Sequence, residues 1–311
     1  MEKDQAVKNM LELLKRMRDV DGSDLFITTG FPPAMKIDGK MTPVTKQPLN
    51  AEASRALALC IMNERQLKEF ETTKECNFAI SPAGIGRYRC NAFVQQGYTG
   101  LVARTITTDV PQFDKLGLPP VLKEAIMNKN GLFIMVGGTG SGKSTSLAAL
   151  VDFRNEHSHG HIITLEDPIE YVHPHKNCVI MQREVGVDTD HWDVALKNTL
   201  RQAPDVILLG EIRDRATMEY AIQFAETGHL AMATLHANNS NQALDRIINF
   251  FPESRREQLL MDLSANLRCV CSQRLIKTRD GNGRVAAVEV MLNSPLIKEL
   301  ILKGEMENIK G

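Results

Sequence analysis

Apolar residues recur at helical spacing through the first twenty positions, as Val7, Met10, Leu11, Leu14 and Met17. Short extended runs follow. DLFIT (24–28) and AMKID (34–38) predict strands, and Asp38-Gly39 before KMTPV predicts a hairpin turn. Residues 51–71 return to a helical period. GRYRCNAF (86–93) and TGLVARTI (99–106) predict a strand pair joined through Gln-Gly-Tyr. These elements make a small α+β module over residues 1–107. TDVPQFDKLGLPP (108–120) is polar, turn-rich and proline-bearing, and predicts a linker.

The pattern then changes. GLFIMV (131–136), HIITL (161–165), VILLG (206–210) and LAMATL (230–235) are continuous apolar runs separated by helical segments. Runs of that kind are strands of a parallel sheet buried on both faces. Alternating β and α elements over residues 121–311 predict a doubly wound α/β domain.

Composition narrows the function classes. The chain of 311 residues is 43% hydrophobic and 24% charged, with a net charge of −1. Such a balance gives no basic field for nucleic acid or anionic lipid, so no nucleic-acid partner is expected. MEKDQAVKNM lacks the apolar core of a signal peptide, and no run approaches the ~20 apolar residues of a membrane span. A cytoplasmic location is expected. The six cysteines (60, 76, 90, 178, 269 and 271) form no C-x-x-C pair. They predict reduced, mostly buried thiols rather than a zinc site.

The chemistry is carried by GGTGSGKST, spanning Gly137, Gly138, Thr139, Gly140, Ser141, Gly142, Lys143, Ser144 and Thr145. It follows the first apolar strand, opens a helix, and matches G-x-x-x-x-G-K-[ST]. Its backbone N–H groups and the helix N-terminus would cradle phosphates. Lys143 would reach the β/γ-phosphates and Ser144 would ligate Mg²⁺. ATP and Mg²⁺ are therefore the expected cofactors.

A hydrolase needs acids as well, and ligands of a doubly wound sheet sit beyond the carboxyl ends of its strands. Glu166 and Glu211 both follow such ends, in TLEDPIEY and VILLGEIRD. Glycine at 210 takes the slot in which many nucleotide hydrolases carry an aspartate. Asp167, beside Pro168, and Asp214 are expected to cap turns. His236 ends the run HLAMATLH and is placed to meet a γ-phosphate, whereas His229 begins that run.

Taken together, SDLFITTGFPPAMKIDGK, RYRCNAFVQQ, the phosphate loop, EDPIEYVH, GEIRD, AETGHLAMATLH and RVAAVEVMLNSPLIKELI resemble the secretion ATPase superfamily. Within it they resemble the type IV pilus retraction ATPases of the PilT/PilU branch. The wording MATLHANNSNQALDRIINFFP is nearer the PilU group.

The resemblance implies a PAS-like N-terminal domain, a RecA-like P-loop ATPase domain and a homo-hexameric ring. It implies a motor that powers twitching motility at the inner-membrane base of the pilus, beside a PilT-type ATPase and the membrane platform protein. By motif, Glu166 would polarise the attacking water. Glu211 would hold Mg²⁺ with Ser144, through water. His229 and His236 match the family's histidine box, and Arg89 and Arg104 match arginines that close over the phosphates. The family normally continues into a further helical tail, whereas this sequence ends at Lys310-Gly311.

Rival readings part on short motifs. Assembly and type II secretion ATPases usually carry two C-x-x-C pairs, which this sequence lacks. A GTP-dependent switch needs N-K-x-D, and NKNG at 128–131 precedes the phosphate loop and lacks the aspartate. A ring that couples to another motor without its own turnover is compatible with every motif.

Overall fold

The computed structural model describes residues 2–280 and 283–309. The chain divides into two compact units, Met1–Thr108 and Asp109–Gly311.

The first unit contains, in chain order, α1 (Lys3–Asp19), β1 (Asp24–Ile27), β2 (Ala34–Ile37), β3 (Lys40–Pro43), α2 (Ala51–Leu59), α3 (Glu64–Thr73), β4 (Glu75–Ile80), β5 (Arg87–Gln95) and β6 (Tyr98–Ile106). Met10, Leu14 and Met17 of α1 are fully buried, as their spacing requires. The strands form one six-stranded sheet in the order β3-β2-β1-β6-β5-β4, with every pair antiparallel. Alternate residues of β5, Tyr88, Cys90 and Ala92, point into the core with Leu57, Phe70 and Phe78.

The helix expected over 51–71 is two helices. Asn63 ends the run by capping α3: its side chain accepts from Gln66 N while Gln66 Oε1 accepts from Asn63 N. That reciprocal box satisfies two donors at a new helix start, so the chain turns there. Gln96-Gly97 alone closes the β5–β6 hairpin, because Tyr98 already pairs with Gln95. β4 adds a strand that periodicity did not pick out.

The second unit continues with α4 (Val121–Ile126), β7 (Gly131–Val136), α5 (Lys143–His157), β8 (His161–Glu166), β9 (Val179–Glu184), α6 (Trp192–Thr199), β10 (Val206–Leu209), α7 (Arg215–Glu226), β11 (Leu230–Leu235), α8 (Ser240–Asn249), α9 (Arg256–Asn266), β12 (Leu267–Lys277), β13 (Arg284–Leu292) and α10 (Pro295–Lys303). Its sheet runs β13-β12-β7-β11-β10-β8-β9, parallel except for the β12–β13 hairpin.

The central strands are buried on both faces, and successive residues feed two separate cores. Leu132, Ile134 and Val136 of β7 join Ile207 and Leu209 of β10 in a cluster with α6 to α9. Phe133 and Met135 join Val206 and Leu208 in a second cluster with α4 and α5. Phe113 and Leu118 also pack into that second cluster, and residues 113–115 form a 3₁₀ turn. The polar stretch 109–120 is thus anchored to this unit by two apolar side chains. Among the described residues, no helix is long and apolar enough to cross a membrane.

Candidate active site

The carboxyl ends of β7, β8, β10 and β11 lie side by side, and the loops that leave them enclose a cavity of about 430 Å³. Thr139, Gly140, Lys143 and Ser144 line it, together with Glu166, Glu211 and His236. Residues expected to act together from four separate stretches of sequence therefore share one site.

The phosphate loop leads from β7 into the first turn of α5, whose N-terminal cap is Gly142 at φ +86°. That left-handed conformation suits glycine, and a Cβ there would lie 2.7 Å from Gln273 Nε2. Lys143 Nζ donates to Gly137 O (2.7 Å) and Gly138 O (2.8 Å). The ammonium thus ties the start of the loop to its end. Its partial burial lowers its proton affinity, against the pull of Glu211 and Glu170. Thr145 Oγ1 lies 3.0 Å from the Tyr171 hydroxyl.

Glu166 ends β8 and is half-buried. Burial pushes its carboxyl up to about 7. Hydrogen bonds from Thr164 Oγ1 (2.6 Å) and Gln182 Nε2 (3.2 Å) pull the other way, and the negative neighbours Glu170 and Glu184 add to the rise. Glycine at 210 has a local reason: a Cβ there would sit 3.2 Å from both Glu166 Cα and Leu165 O. A side chain in that slot would press on the Glu166 backbone, which would have to give by a few tenths of an ångström.

Glu211, one residue on, enters the cavity with both oxygens engaged. Oε2 accepts from Arg213 Nε at 2.7 Å, and Oε1 lies 3.1 Å from His236 Nε2. Arg213 Nη1 is 3.7 Å from Asp167 Oδ2, so an acid–base chain runs Asp167, Arg213, Glu211, His236. Asp214 caps α7 by accepting from Thr217 N at 2.8 Å, as its position suggested. Asp167 pairs with Arg213 instead of capping a turn.

Within this unit, one expected residue stands apart from the cluster. His229 precedes β11 at its amino end, with Nδ1 3.1 Å from Phe224 O and 3.0 Å from Thr227 Oγ1. Six strand residues, about 20 Å of extended chain, separate it from His236. Arg89 and Arg104 belong to the first unit, where they are direct cross-strand partners on β5 and β6. Arg104 Nε donates to Asp24 Oδ1 at 2.7 Å.

Gln273 and Gln182 escaped sequence reasoning. Gln273, on β12, is buried and holds the loop from behind: its Nε2 donates to Ser141 O (2.9 Å) and its Oε1 accepts from Ser146 Oγ (2.8 Å). Both glutamines lie on strands far in sequence from the motifs they serve. Neither strand is otherwise apolar, since Gln182 precedes Arg183 and Glu184 and Gln273 lies between Ser272 and Arg274, so no local signal marks either glutamine.

The family described as Type II/IV secretion system protein matches residues 35–305. The chain belongs to this family. It is 56% identical over 299 residues to the Type IV pilus ATPase PilU of Pseudomonas aeruginosa, covering 96% of this chain and 78% of that protein. To the Type IV pilus retractation ATPase PilT of the same organism it is 42% identical, covering 96% of this chain and 86% of the relative. Among solved structures, the pilus retraction motor PilT with bound ADP superposes with a TM-score of 0.89 at 40% identity, over 96% of this chain and 87% of that one. Secretion ATPases of this family thus share both the sequence and the α/β architecture described above.

Proposed function

We infer that the chain hydrolyses ATP and uses that work to retract type IV pili. The observation that carries the reading is the meeting, in one cavity, of the loop lysine Lys143 with two carboxylates, Glu166 and Glu211, at the ends of β8 and β10. The likeness to the Pseudomonas PilU and PilT proteins supports the direction of work. In this reading the second unit is a RecA-like motor and the first a PAS-like partner domain.

ATP enters with its β/γ-phosphates in the loop. Lys143 exchanges its two carbonyl partners for phosphate oxygens, a trade of neutral for charge-assisted hydrogen bonds. Glu166 takes the proton of the attacking water, and its value near neutrality suits a base working at physiological pH. His236 lies beside the γ-phosphate, and its Nε2 contact with Glu211 holds the ring in place. The hydroxyl of Ser144 and the carboxylate of Glu211 are hard oxygen donors, a set that fits Mg²⁺. That ion would offset charge on the β- and γ-oxygens. Arg89 and Arg104 add positive charge at the γ-phosphate; His229, at the amino end of β11, braces the turn after α7 rather than the nucleotide.

The chain works as a homo-hexamer at the cytoplasmic base of the pilus, as an accessory to a PilT-type ATPase and against the inner-membrane platform protein. Phosphate release by the purified chain tests the central reading. Steady turnover is expected for the wild type and none for Lys143→Ala. Equal rates for the two proteins would remove the site.

A further inference from the structure

Thr164 stands in a strand whose neighbours are apolar, and it is fully buried. A buried hydroxyl costs free energy unless it is hydrogen-bonded. Its partner is the carboxylate two residues on, because side chains at i and i+2 share a face of a strand. Across the parallel pair, Thr164 is opposite Gln182 and Glu166 is opposite Glu184. Gln182 is therefore on that same face, one strand away.

The orientation of the Gln182 amide is fixed by its other end. Its Oε1 accepts from His173 N at 2.8 Å, so Nε2 must turn toward Glu166 Oε1 (3.2 Å) and Tyr171 O (2.8 Å). Both side-chain donors thus converge on one oxygen of Glu166. Among the described residues, no hydrogen bond is made to Oε2, and Glu166 lines the cavity.

We propose that Thr164 and Gln182 are positioning residues that grip Oε1 of Glu166, so that Oε2 is the atom presented to the attacking water. The inference rests on Glu166 being the general base. The grip has two consequences. It fixes the carboxylate in one rotamer and leaves the other oxygen free of protein donors. It also favours the ionised form, against the burial and the negative charge of Glu170 and Glu184 that oppose it. Lys143, Glu211, Arg213 and His236 share the cavity and are unchanged by the grip. Gln182 further ties the base to the segment 171–173, so a movement of that segment reaches Glu166 through one amide.

The test is the pH profile of kcat/KM for ATP, which reports the free enzyme. Thr164→Val and Gln182→Leu each remove one donor. Each should move the acid limb up by about one pH unit and lower kcat/KM at pH 7 by about fivefold, with most of the loss recovered at pH 9. Thr164→Ser keeps the hydroxyl and should behave as wild type. A role in packing alone would lower activity equally at every pH.

Glu166→Gln separates the inference from its foundation. If that variant is inactive while Thr164→Val and Gln182→Leu keep the wild-type limb, the grip is overturned and the base stands. If Glu166→Gln turns over ATP like wild type, the base is overturned. Infrared titration of the carboxyl band lost in Glu166→Gln then decides the grip without activity: a midpoint raised in both donor variants supports it, and an unmoved midpoint overturns it.

Discussion

Gln273 and Ser141 are 132 residues apart in sequence and are joined by a 2.9 Å hydrogen bond from the β12 amide to the phosphate-loop carbonyl. The same side chain accepts from Ser146 in the first turn of α5. β12 is thereby the back wall of the nucleotide site. Gln273→Leu keeps the volume and strands both partners, each buried or nearly so. An unpartnered buried group costs about 1–3 kcal/mol, so a stability loss of about 2–4 kcal/mol is expected. Binding of a non-hydrolysable ATP analogue should weaken as well. Thermal unfolding and an equilibrium titration on the same preparation check this. Wild-type values in both would show that the loop holds its shape without β12.

The loop that Gln273 supports was legible because its signal is local: nine consecutive residues, a strand before and a helix after. Glu166, Glu211 and His236 were legible by a weaker rule, that residues at strand carboxyl ends face the ligand. Their supporters were not. Gln182 and Gln273 matter through strand register, and register depends on pairings that no single segment encodes. The edge strands β4, β9 and β13 escaped for a related reason. Their exposed alternate residues, such as Val179 and Met181 of β9, blur the apolar run that marks a central strand. At 108–120, polar and proline-bearing composition predicted a linker, and within it Phe113 and Leu118 pack into the core of the second unit. Two apolar side chains in a polar stretch decide where it packs.

The two cavity glutamates should separate in their phenotypes. Glu166→Gln keeps the shape and one acceptor oxygen for Thr164 and Gln182 but cannot take the water's proton. ATP affinity should be preserved and turnover lost, by about 10²–10⁴-fold for a general base. Glu211→Ala also frees Arg213 and His236. It should make nucleotide binding insensitive to Mg²⁺, as read by titration with and without the ion. The reverse pattern would exchange the two roles.

Arg104 is already engaged by Asp24, whose side chain is only 6% exposed while that of the arginine is 70% exposed. Ser23 Oγ also donates to the aspartate at 2.8 Å. Arg104→Ala should lower turnover by about 10³-fold if the guanidinium meets the γ-phosphate, and should spare ADP affinity. It also leaves a buried carboxylate without its cation, which costs stability on its own account. The double variant Arg104→Ala/Asp24→Asn removes that complication. Turnover restored in the double variant would make the first effect one of folding, and Arg104 a purely structural partner of Asp24.

Glu166 also links the site to stability. An acid whose value rises on folding, here from 4.5 to about 7, is less well tolerated as an anion in the fold than in the unfolded chain. The penalty is therefore full above about pH 7 and vanishes below about pH 4.5. Glu166→Gln removes the charge and keeps the acceptor for Thr164 and Gln182. The variant should be more stable than wild type at pH 8, by about 2–3 kcal/mol after allowance for partial exposure. The difference should shrink as pH falls through 7 and be gone near pH 4.5. Denaturant unfolding at both pH values, at one protein concentration and without nucleotide, measures it. A variant no more stable at pH 8 would mean that the carboxylate is not held at a cost. The stabilisation surrendered at Glu166 would then have to be dropped as the reason this base titrates near neutrality.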